Sequence, residues 1–228
     1  MPKKTRDLIV ASSDWTVPSA DGVHRRTIVK GAAWTVPVVA VSIATPAAAA
    51  SNTTCPVIAP SDWTKTANDY ANASQAEIAA AGTKPQAFKV QSENTAANGS
   101  GLYGQLYYTA NIKVQKGKTY TFSYSAYGNY GDHNKSTSRV MYSQLNVNGG
   151  QIGTILSTRV SEFGNSQLPI QEKSTDTLPW QDYTATYTAT EDGTIPVQFQ
   201  FSIPDKAKNG SQTSSDDIYI TLPTITCS

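Results

Sequence analysis

Residues 106–126 read LYYTANIKVQKGKTYTFSYSA, and this stretch decides the fold. Apolar and polar side chains alternate strictly from Leu106 to Val114 and again from Tyr120 to Ala126. A period of two is typical of a β-strand with one buried face. Because only a short turn at Lys116 and Gly117 separates the two runs, the sequence predicts two strands joined as a hairpin.

The same alternation continues downstream. Val140 to Val147 predicts another strand, Asn148-Gly149 predicts a tight turn because both residues tolerate positive φ, and 151–156 returns as the hairpin partner. Further alternating runs occupy 183–189, 197–203 and 218–222. Seven to nine short strands of this kind predict an all-β chain folded as a two-sheet antiparallel β-sandwich.

Two segments fall outside this pattern. Residues 67–82 are rich in alanine but have a weak apolar face, so a short surface helix and an irregular loop both fit. Residues 161–179 form a long polar connection of a kind that is often functional or mobile. Trp180 follows it, and we expect its ring in the core or at the edge of the sandwich.

The first 50 residues differ in composition from the rest and carry 6 of the 18 Lys and Arg residues. Arg25 and Arg26, followed by an apolar stretch and an alanine run, resemble a twin-arginine signal peptide. The resemblance implies export by the twin-arginine machinery, cleavage after about Ala50, and a single secreted or cell-surface domain over residues 51–228. The alternative is an uncleaved anchor, but the apolar stretch is shorter than the roughly 20 residues that span a bilayer, so no membrane span is expected in the mature protein.

The remaining 178 residues hold 12 basic and 14 acidic side chains, a formal charge of about −2. A domain this close to neutral lacks the basic surface that binding to nucleic acid or an anionic membrane requires. Nucleic acid is therefore not an expected partner.

Cys55 and Cys227 are the two cysteines of the chain. In an oxidising compartment such a pair predicts a disulfide, here between the two ends of the domain, and the alternative is two unrelated thiols. Closing a loop of this length contributes at most about 5 kcal/mol in the chain-entropy model.

The second half carries a resemblance to a family. A tryptophan-led strand at 180–189, the alternating Val197, Phe199 and Phe201, the closing run Asp216-Asp217-Ile218-Tyr219-Ile220 and the turn at 116–120 resemble jelly-roll carbohydrate-binding modules with a galactose-binding-like fold. The resemblance covers roughly residues 86–226. It implies a jelly roll, a saccharide ligand and a structural calcium near Asp217, which would be a ligand through its carboxylate. The other interpretation of Asp217 is a solvated strand end, and no further cofactor is expected.

No catalytic motif is found in the sequence. Serine catalysis needs a base beside the nucleophile, and His133, the single histidine after residue 50, lies in a polar loop. Sugar hydrolysis needs two opposed carboxylates, whereas adjacent Asp216 and Asp217 point to opposite faces of a strand. A secreted glycoside hydrolase is accordingly the least favoured function.

Aromatic side chains are the remaining candidates for a binding site. Sugars stack on exposed aromatic faces, and polar groups beside the ring bind their hydroxyls. The candidates lie off the inward phase of the strands or in loops: Tyr103, Tyr107, Tyr127, Tyr130, Asn129 and Asp132. They predict an exported, non-catalytic domain that binds an extracellular or cell-wall polysaccharide. The alternative is a structural or adhesive protein of the cell envelope.

Overall fold

The computed structural model of the chain describes residues 54–97, 99–130, 140–159, 166–205 and 217–228. The leader, including Arg25 and Arg26, lies outside these residues, so its role in export stays a prediction. Within the described residues no helix has the length and apolar character needed to cross a membrane. The described part of the chain contains two short 3₁₀ helices, Pro60–Asp62 and Ala73–Gln75, and thirteen strands.

The strands of the described residues have the following bounds: β1 Thr64–Ala67, β2 Ala76–Ala81, β3 Lys84–Val90, β4 Gly104–Val114, β5 Thr119–Asn129, β6 Tyr142–Val147, β7 Gly150–Ser157, β8 Ser166–Gln167, β9 Ile170–Gln171, β10 Gln181–Thr188, β11 Gly193–Ile203, β12 Asp217–Thr221 and β13 Thr224–Cys227.

These strands form two sheets that pack as a β-sandwich, which confirms the predicted fold class. The first sheet has the order β1-β4-β11-β6-β7-β8, and the second has the order β10-β5-β12-β3-β2, with β13 and β9 also paired to β5. The four-strand sets β4-β11-β6-β7 and β3-β12-β5-β10 give the two sheets of an eight-stranded jelly roll. The count exceeds nine because of short strands at the rims, two of which, β8 and β9, pair in parallel.

The predicted hairpin at 106–126 is wrong, although both of its strands exist. β4 pairs with β1 and β11 in the first sheet, whereas β5 pairs with β10 and β12 in the second. The turn at Gly117, with φ +81°, carries the chain from one sheet to the other. Alternation defines the inward face of each strand, but it does not say which strand is the neighbour, and both strands here direct their apolar faces into one core.

The second predicted hairpin is confirmed. β6 and β7 pair antiparallel through the turn at Asn148 and Gly149, whose φ angles are 52° and 79°. Two consecutive residues with positive φ match the twist of the strands that they join.

The helix-like stretch contains a short 3₁₀ helix and a strand instead of an α-helix. Residues 76–81 form β2, which pairs with β3 at the edge of the second sheet. Ala76 and Ala81 are buried there, and Ile78 packs partly against the core. Alanine has a high helix propensity, but the pairing energy available along β3 exceeds this weak local preference.

The core between the sheets centres on aromatic rings from both layers. Phe88 of β3 stacks on Tyr108 of β4, with ring centroids 4.5 Å apart. Trp63 meets Phe88 edge-on at 4.9 Å, and Phe199 lies 5.3 Å from Phe88. This packing holds the two sheets face to face, so the polar phases of their strands form two outer surfaces.

A disulfide joins Cys55 and Cys227, as the sequence predicts. Their Cα atoms lie 5.5 Å apart across 172 residues of sequence. Cys227 belongs to β13, which pairs with β5, so the bond attaches the segment before β1 to the second sheet.

Candidate functional site

The outer surface of the first sheet carries an unusual number of side-chain amides. In β11 the apolar Val197, Phe199 and Phe201 are buried, and strand alternation therefore turns Gln198 and Gln200 outward. The polar phases of β4 and β6 supply further amides to the same surface. We call this group the amide face, and its members are Gln105, Gln144, Asn146, Gln198 and Gln200.

Strand register places these side chains in rows across the sheet. Gln200 lies opposite Tyr107 of β4 on one side and Gln144 of β6 on the other. Gln198 lies opposite Thr109 and Asn146 in the next row. Adjacent strands are about 4.8 Å apart, so each amide is within reach of its neighbours in the row.

Hydrogen bonds join the amides into one network centred on Gln200. Its Nε2 donates to Oε1 of Gln105 at 2.9 Å, and its Oε1 accepts from Nε2 of Gln144 and Nδ2 of Asn146, both at 3.2 Å. Ser202 donates to Gln105 at 2.8 Å. The mutual bonds fix the orientation of each amide, so the surface presents donors and acceptors in set positions.

A shallow depression opens at one end of the amide face. It has a volume of about 230 Å³. Its lining consists of Tyr103, Gln105, Tyr142, Gln144, Ile155 and Ser202. The depression therefore combines two aromatic rings and one aliphatic side chain with two of the amides.

The amide face carries no charge. The outward positions over 105–109, 142–146 and 198–202, all within the described residues, hold amide, hydroxyl and tyrosine side chains only. Neutral amides cost much less to desolvate than ionised groups do. The surface thus fits a ligand that is polar and uncharged.

The structure divides the predicted site residues between two surfaces. Tyr103 and Tyr107 are half-buried, and both lie at the amide face. Tyr127 and Asn129 belong to β5 in the other sheet, and Tyr130 follows at the end of that strand. Asp132 lies outside the described residues. The predicted cluster therefore separates into two groups, and only the first is near the amides.

Tyr127 and Tyr130 are buried. Each ring is 2 % exposed, and the Tyr130 hydroxyl donates to the carbonyl of Thr158 at 2.9 Å. Tyr127 does point away from the main core, but it stacks on Tyr219 at 4.7 Å and meets Trp180 edge-on at 4.6 Å. Burial, with the charge of Asp217, raises the pKa of Tyr127 to about 12.

A second, smaller hydrophobic core thus covers part of the outer surface of the second sheet, around Tyr127 and Tyr219. Its members are Ala81, Ala87, Tyr127 and Tyr219, with Leu178 and Trp180 packed against them. Trp180 was expected in the main core or at the sandwich edge, but its ring belongs to this outer cluster. The chain that precedes β10 supplies the cover, because it brings Leu178 against the turn at Gly82.

Asp217 begins β12 beside this cluster. Burial raises the pKa of its carboxyl to about 6, against the opposing effects of a hydrogen bond from Gln91, the charge of Lys89 and a hydrogen bond from Tyr219. The Gln91 amide donates to Oδ2 at 2.9 Å. Among the described residues no three His, Cys, Asp or Glu side chains form a metal-binding group. Calcium at Asp217 stays a prediction, which thermal unfolding with calcium and with a chelator would test.

The sequence contains a pattern that indicates the amide face, and a search for aromatic side chains alone does not find it. Glutamine or asparagine occupies the polar phase of three separate alternating runs, at 105, at 144–146 and at 198–200. Amides are not favoured in strands by propensity, so their repetition there points to a shared surface. Their assembly depends on β11 lying between β4 and β6, which alternation does not predict.

Comparisons with known proteins find structures that resemble parts of the chain, but they do not show a family to which it belongs. No protein-family model matches the chain. No curated protein matches it either.

Several solved structures resemble parts of the chain. One, described as "CBM4 structure and function", is 16% identical with a TM-score of 0.37. The match covers 74% of this chain and 88% of the other chain. The sugar-binding C-terminal domain of EclA is 13% identical with a TM-score of 0.32, and the match covers 52% of this chain but only 64% of that domain. The K1 cleaved adhesin domain of Lys-gingipain from Porphyromonas gingivalis W83 is 12% identical with a TM-score of 0.35, and the match covers 74% and 92% of the two chains. Because these scores are low, the functional argument rests on the chain's own residues.

Proposed function

We propose that the domain over residues 51–228 is a non-catalytic binding domain for an uncharged polysaccharide and that the amide face is its binding surface. The observation that carries the proposal is the hydrogen-bonded, uncharged network of side-chain amides around Gln200, flanked by the half-buried Tyr103 and Tyr107.

Amides and tyrosines together suit the two kinds of surface that a sugar presents. A hydroxyl both donates and accepts hydrogen bonds, and a primary amide offers two donors and one acceptor. The apolar faces of sugar rings pack on aromatic rings, as other flat ligands do. The rows of the sheet extend the polar groups over three neighbouring strands, which suits a chain of several sugar units.

The same surface lacks the groups for sugar hydrolysis. That reaction needs an acid and a second carboxylate on either side of the scissile bond. Among the described outward positions of β4, β6 and β11 that form the amide face, none is a carboxylate. We therefore propose binding without turnover.

We also propose that the domain is exported from the cell. A disulfide between the ends of the domain suits an oxidising compartment. The proposed location is the cell surface or the medium, reached through the twin-arginine machinery by means of the leader that holds Arg25 and Arg26.

Gln200→Ala tests the amide face directly, because it removes the side chain at the centre of the network. Affinity electrophoresis against soluble cellulose derivatives, xylan, mixed-linkage glucan and mannan, with pull-downs on cellulose, chitin and cell-wall material, should identify a bound polysaccharide. We expect the substitution to weaken binding about tenfold or more, the equivalent of one or two hydrogen bonds left unmade. Tyr107→Ala should weaken it similarly.

Thr186→Ala is the matched control, because Thr186 is exposed on β10 in the opposite sheet. It should bind as the unaltered protein does. Blank results across the whole panel, or equal binding by the Gln200→Ala variant, would overturn the proposal. Concentration-dependent assembly of the pure protein, with no polysaccharide bound, would instead favour the structural or adhesive function.

A further inference from the structure

A groove runs across the outer surface of the second sheet, on the opposite side of the sandwich from the amide face. Its volume is about 1000 Å³. Asp182, Ser125 and Thr221 lie on its floor, and Pro56, Pro223 and Lys84 lie around them. It lies beside the outer aromatic cluster and next to the disulfide.

The floor of the groove is a row of small polar side chains that crosses the strands. Asp182 of β10 lies opposite Ser125 of β5, and the Ser125 hydroxyl donates to its Oδ1 at 2.6 Å. The backbone N–H of Ser125 donates to Oγ1 of Thr221 at 2.9 Å, and Thr221 lies opposite Ala87 of β3. With strands about 4.8 Å apart, the row from Asp182 to Thr221 is about 10 Å long.

The walls of the groove are rigid. Pro56 and Pro60 come from the segment that follows Cys55, Pro85 lies at the start of β3, and Pro223 lies between β12 and β13. Proline fixes φ, and the Cys55–Cys227 bond holds the first segment in place. A site of this kind is formed before the ligand arrives, so little ordering accompanies binding.

The charges of the groove balance. Among the described residues that line it, Asp182 is the acid and Lys84 the base. The Lys84 ammonium lies 6.0 Å from the centre of the Trp180 ring, within the range of a cation–π contact. The remaining floor offers hydroxyls and the walls offer apolar rings. The matching ligand is elongated, uncharged and rich in hydroxyls, with apolar faces.

An extended peptide fits this position less well. Peptides that join a sheet gain affinity by pairing with the backbone of an edge strand. β10 is the edge strand of this sheet, but the row lies on the face of the sheet and continues over the interior strands β5 and β12, whose backbones are already paired. The row consequently offers side chains from the face of the sheet.

We propose that this groove is a second saccharide site and that the domain bridges two polysaccharide chains. This inference rests on the proposed function of the amide face. The two sites lie on opposite outer surfaces of a sandwich whose sheets pack about 10 Å apart, so a single short oligosaccharide cannot occupy both. Bridging also raises the avidity for an insoluble polysaccharide without any new contact.

The experiment measures stoichiometry and bridging with the full domain in its oxidised form. The probes are cellohexaose, xylohexaose, mannohexaose and chitohexaose by titration calorimetry, and beads coated with the matching polysaccharides by agglutination. Thr184→Trp places a large ring in the groove, since Thr184 is an exposed lining residue of β10. Asp182→Ala removes the carboxylate without filling the groove.

We expect two oligosaccharides per unaltered protein and one per Thr184→Trp or Gln200→Ala variant. The unaltered protein should agglutinate the beads, and neither of these two variants should. Asp182→Ala should weaken the second binding event at least tenfold. Thr188→Trp is the matched control, because Thr188 is exposed on the same strand and the same face but does not line the groove. It should keep both sites and agglutinate the beads.

Three results would overturn the inference. One oligosaccharide per unaltered protein, lost in the Gln200→Ala variant, would refute the groove and leave the amide face intact. Two oligosaccharides that persist in the Thr184→Trp variant would place the second site elsewhere. No binding of any probe would refute both proposals.

Discussion

The outer surfaces of the two sheets differ in what covers them, although strand alternation places tyrosines on both. Tyr107 on the first sheet is half-buried among amides and open to solvent. Tyr127 on the second sheet is 2 % exposed beneath Trp180 and Leu178. A side chain that points away from the main core is therefore not always on the surface, because a connection between strands can cover it.

The largest expected difference between the two surfaces concerns the disulfide. Because Cys227 lies on β13 of the second sheet, reduction should destabilise that sheet and leave the amide face as it is. The free energy of unfolding should fall by up to about 5 kcal/mol. Urea unfolding with and without reductant measures this. The affinity of the amide face for polysaccharide, measured in the Thr184→Trp variant to block the groove, should not change in the folded, reduced protein. Equal unfolding midpoints would show that the bond is absent.

Paired tyrosine substitutions compare the two surfaces directly. Tyr127→Ala removes a ring that is packed on both Tyr219 and Trp180, and it should cost about 3 kcal/mol or more. Tyr107→Ala, on a half-open surface, should cost less than about 1 kcal/mol. Tyr127→Ala should therefore lower the unfolding midpoint more than Tyr107→Ala does. Tyr107→Ala should weaken polysaccharide binding more than Tyr127→Ala does. A stable Tyr127→Ala protein would mean that the outer cluster is not a core.

The pH dependence of stability should depend on Asp217, at the edge of the covered surface. Because burial raises its pKa from 3.8 to about 6, the folded protein holds the proton more tightly than the unfolded chain does. Its contribution to stability is therefore greatest below about pH 4 and declines as the pH rises through about 6. The expected loss is about 2 kcal/mol, since the side chain is partly open to solvent.

Asp217→Asn keeps the size of this side chain and removes its titration. The variant should show a flatter stability profile over the same pH range in urea unfolding, and it should be more stable than the unaltered protein near neutral pH. If the stability of the unaltered protein and that of the variant depend on pH in the same way, Asp217 ionises in the folded protein as it does in the unfolded chain. Binding at the amide face should not follow this profile, because no titrating carboxylate or histidine belongs to it.

Local patterns in the sequence predict the fold class and the inward face of the long strands β4, β5 and β11, but they do not predict the strand β2. Leu106, Phe122 and Val197 are buried as their alternation predicts. Asn148-Gly149 makes the predicted turn because its signal is local. The partners of β4 and β5 were not predictable, since both strands satisfy the same core and the turn at Gly117 permits either path.

The candidate site was predictable only in part, for the same reason. Tyr103 and Tyr107 were found from their phase, but Gln144 and Gln200 are 56 residues apart and meet only because β6 pairs with β11. The burial of Tyr127 depends on a connection that crosses the sheet, and no periodic pattern describes its path. Register across distant strands and the course of long connections are therefore what the sequence leaves open.

The disulfide also determines how the domain would carry mechanical load. Cys55 and Cys227 are 172 positions apart in the sequence, and all thirteen described strands lie within the loop that they close. A pull applied to the chain on either side of the pair would pass through one covalent bond and bypass every hydrogen bond of the sheets. The oxidised domain would thus transmit tension without lengthening, as a fixed link between whatever holds its two ends.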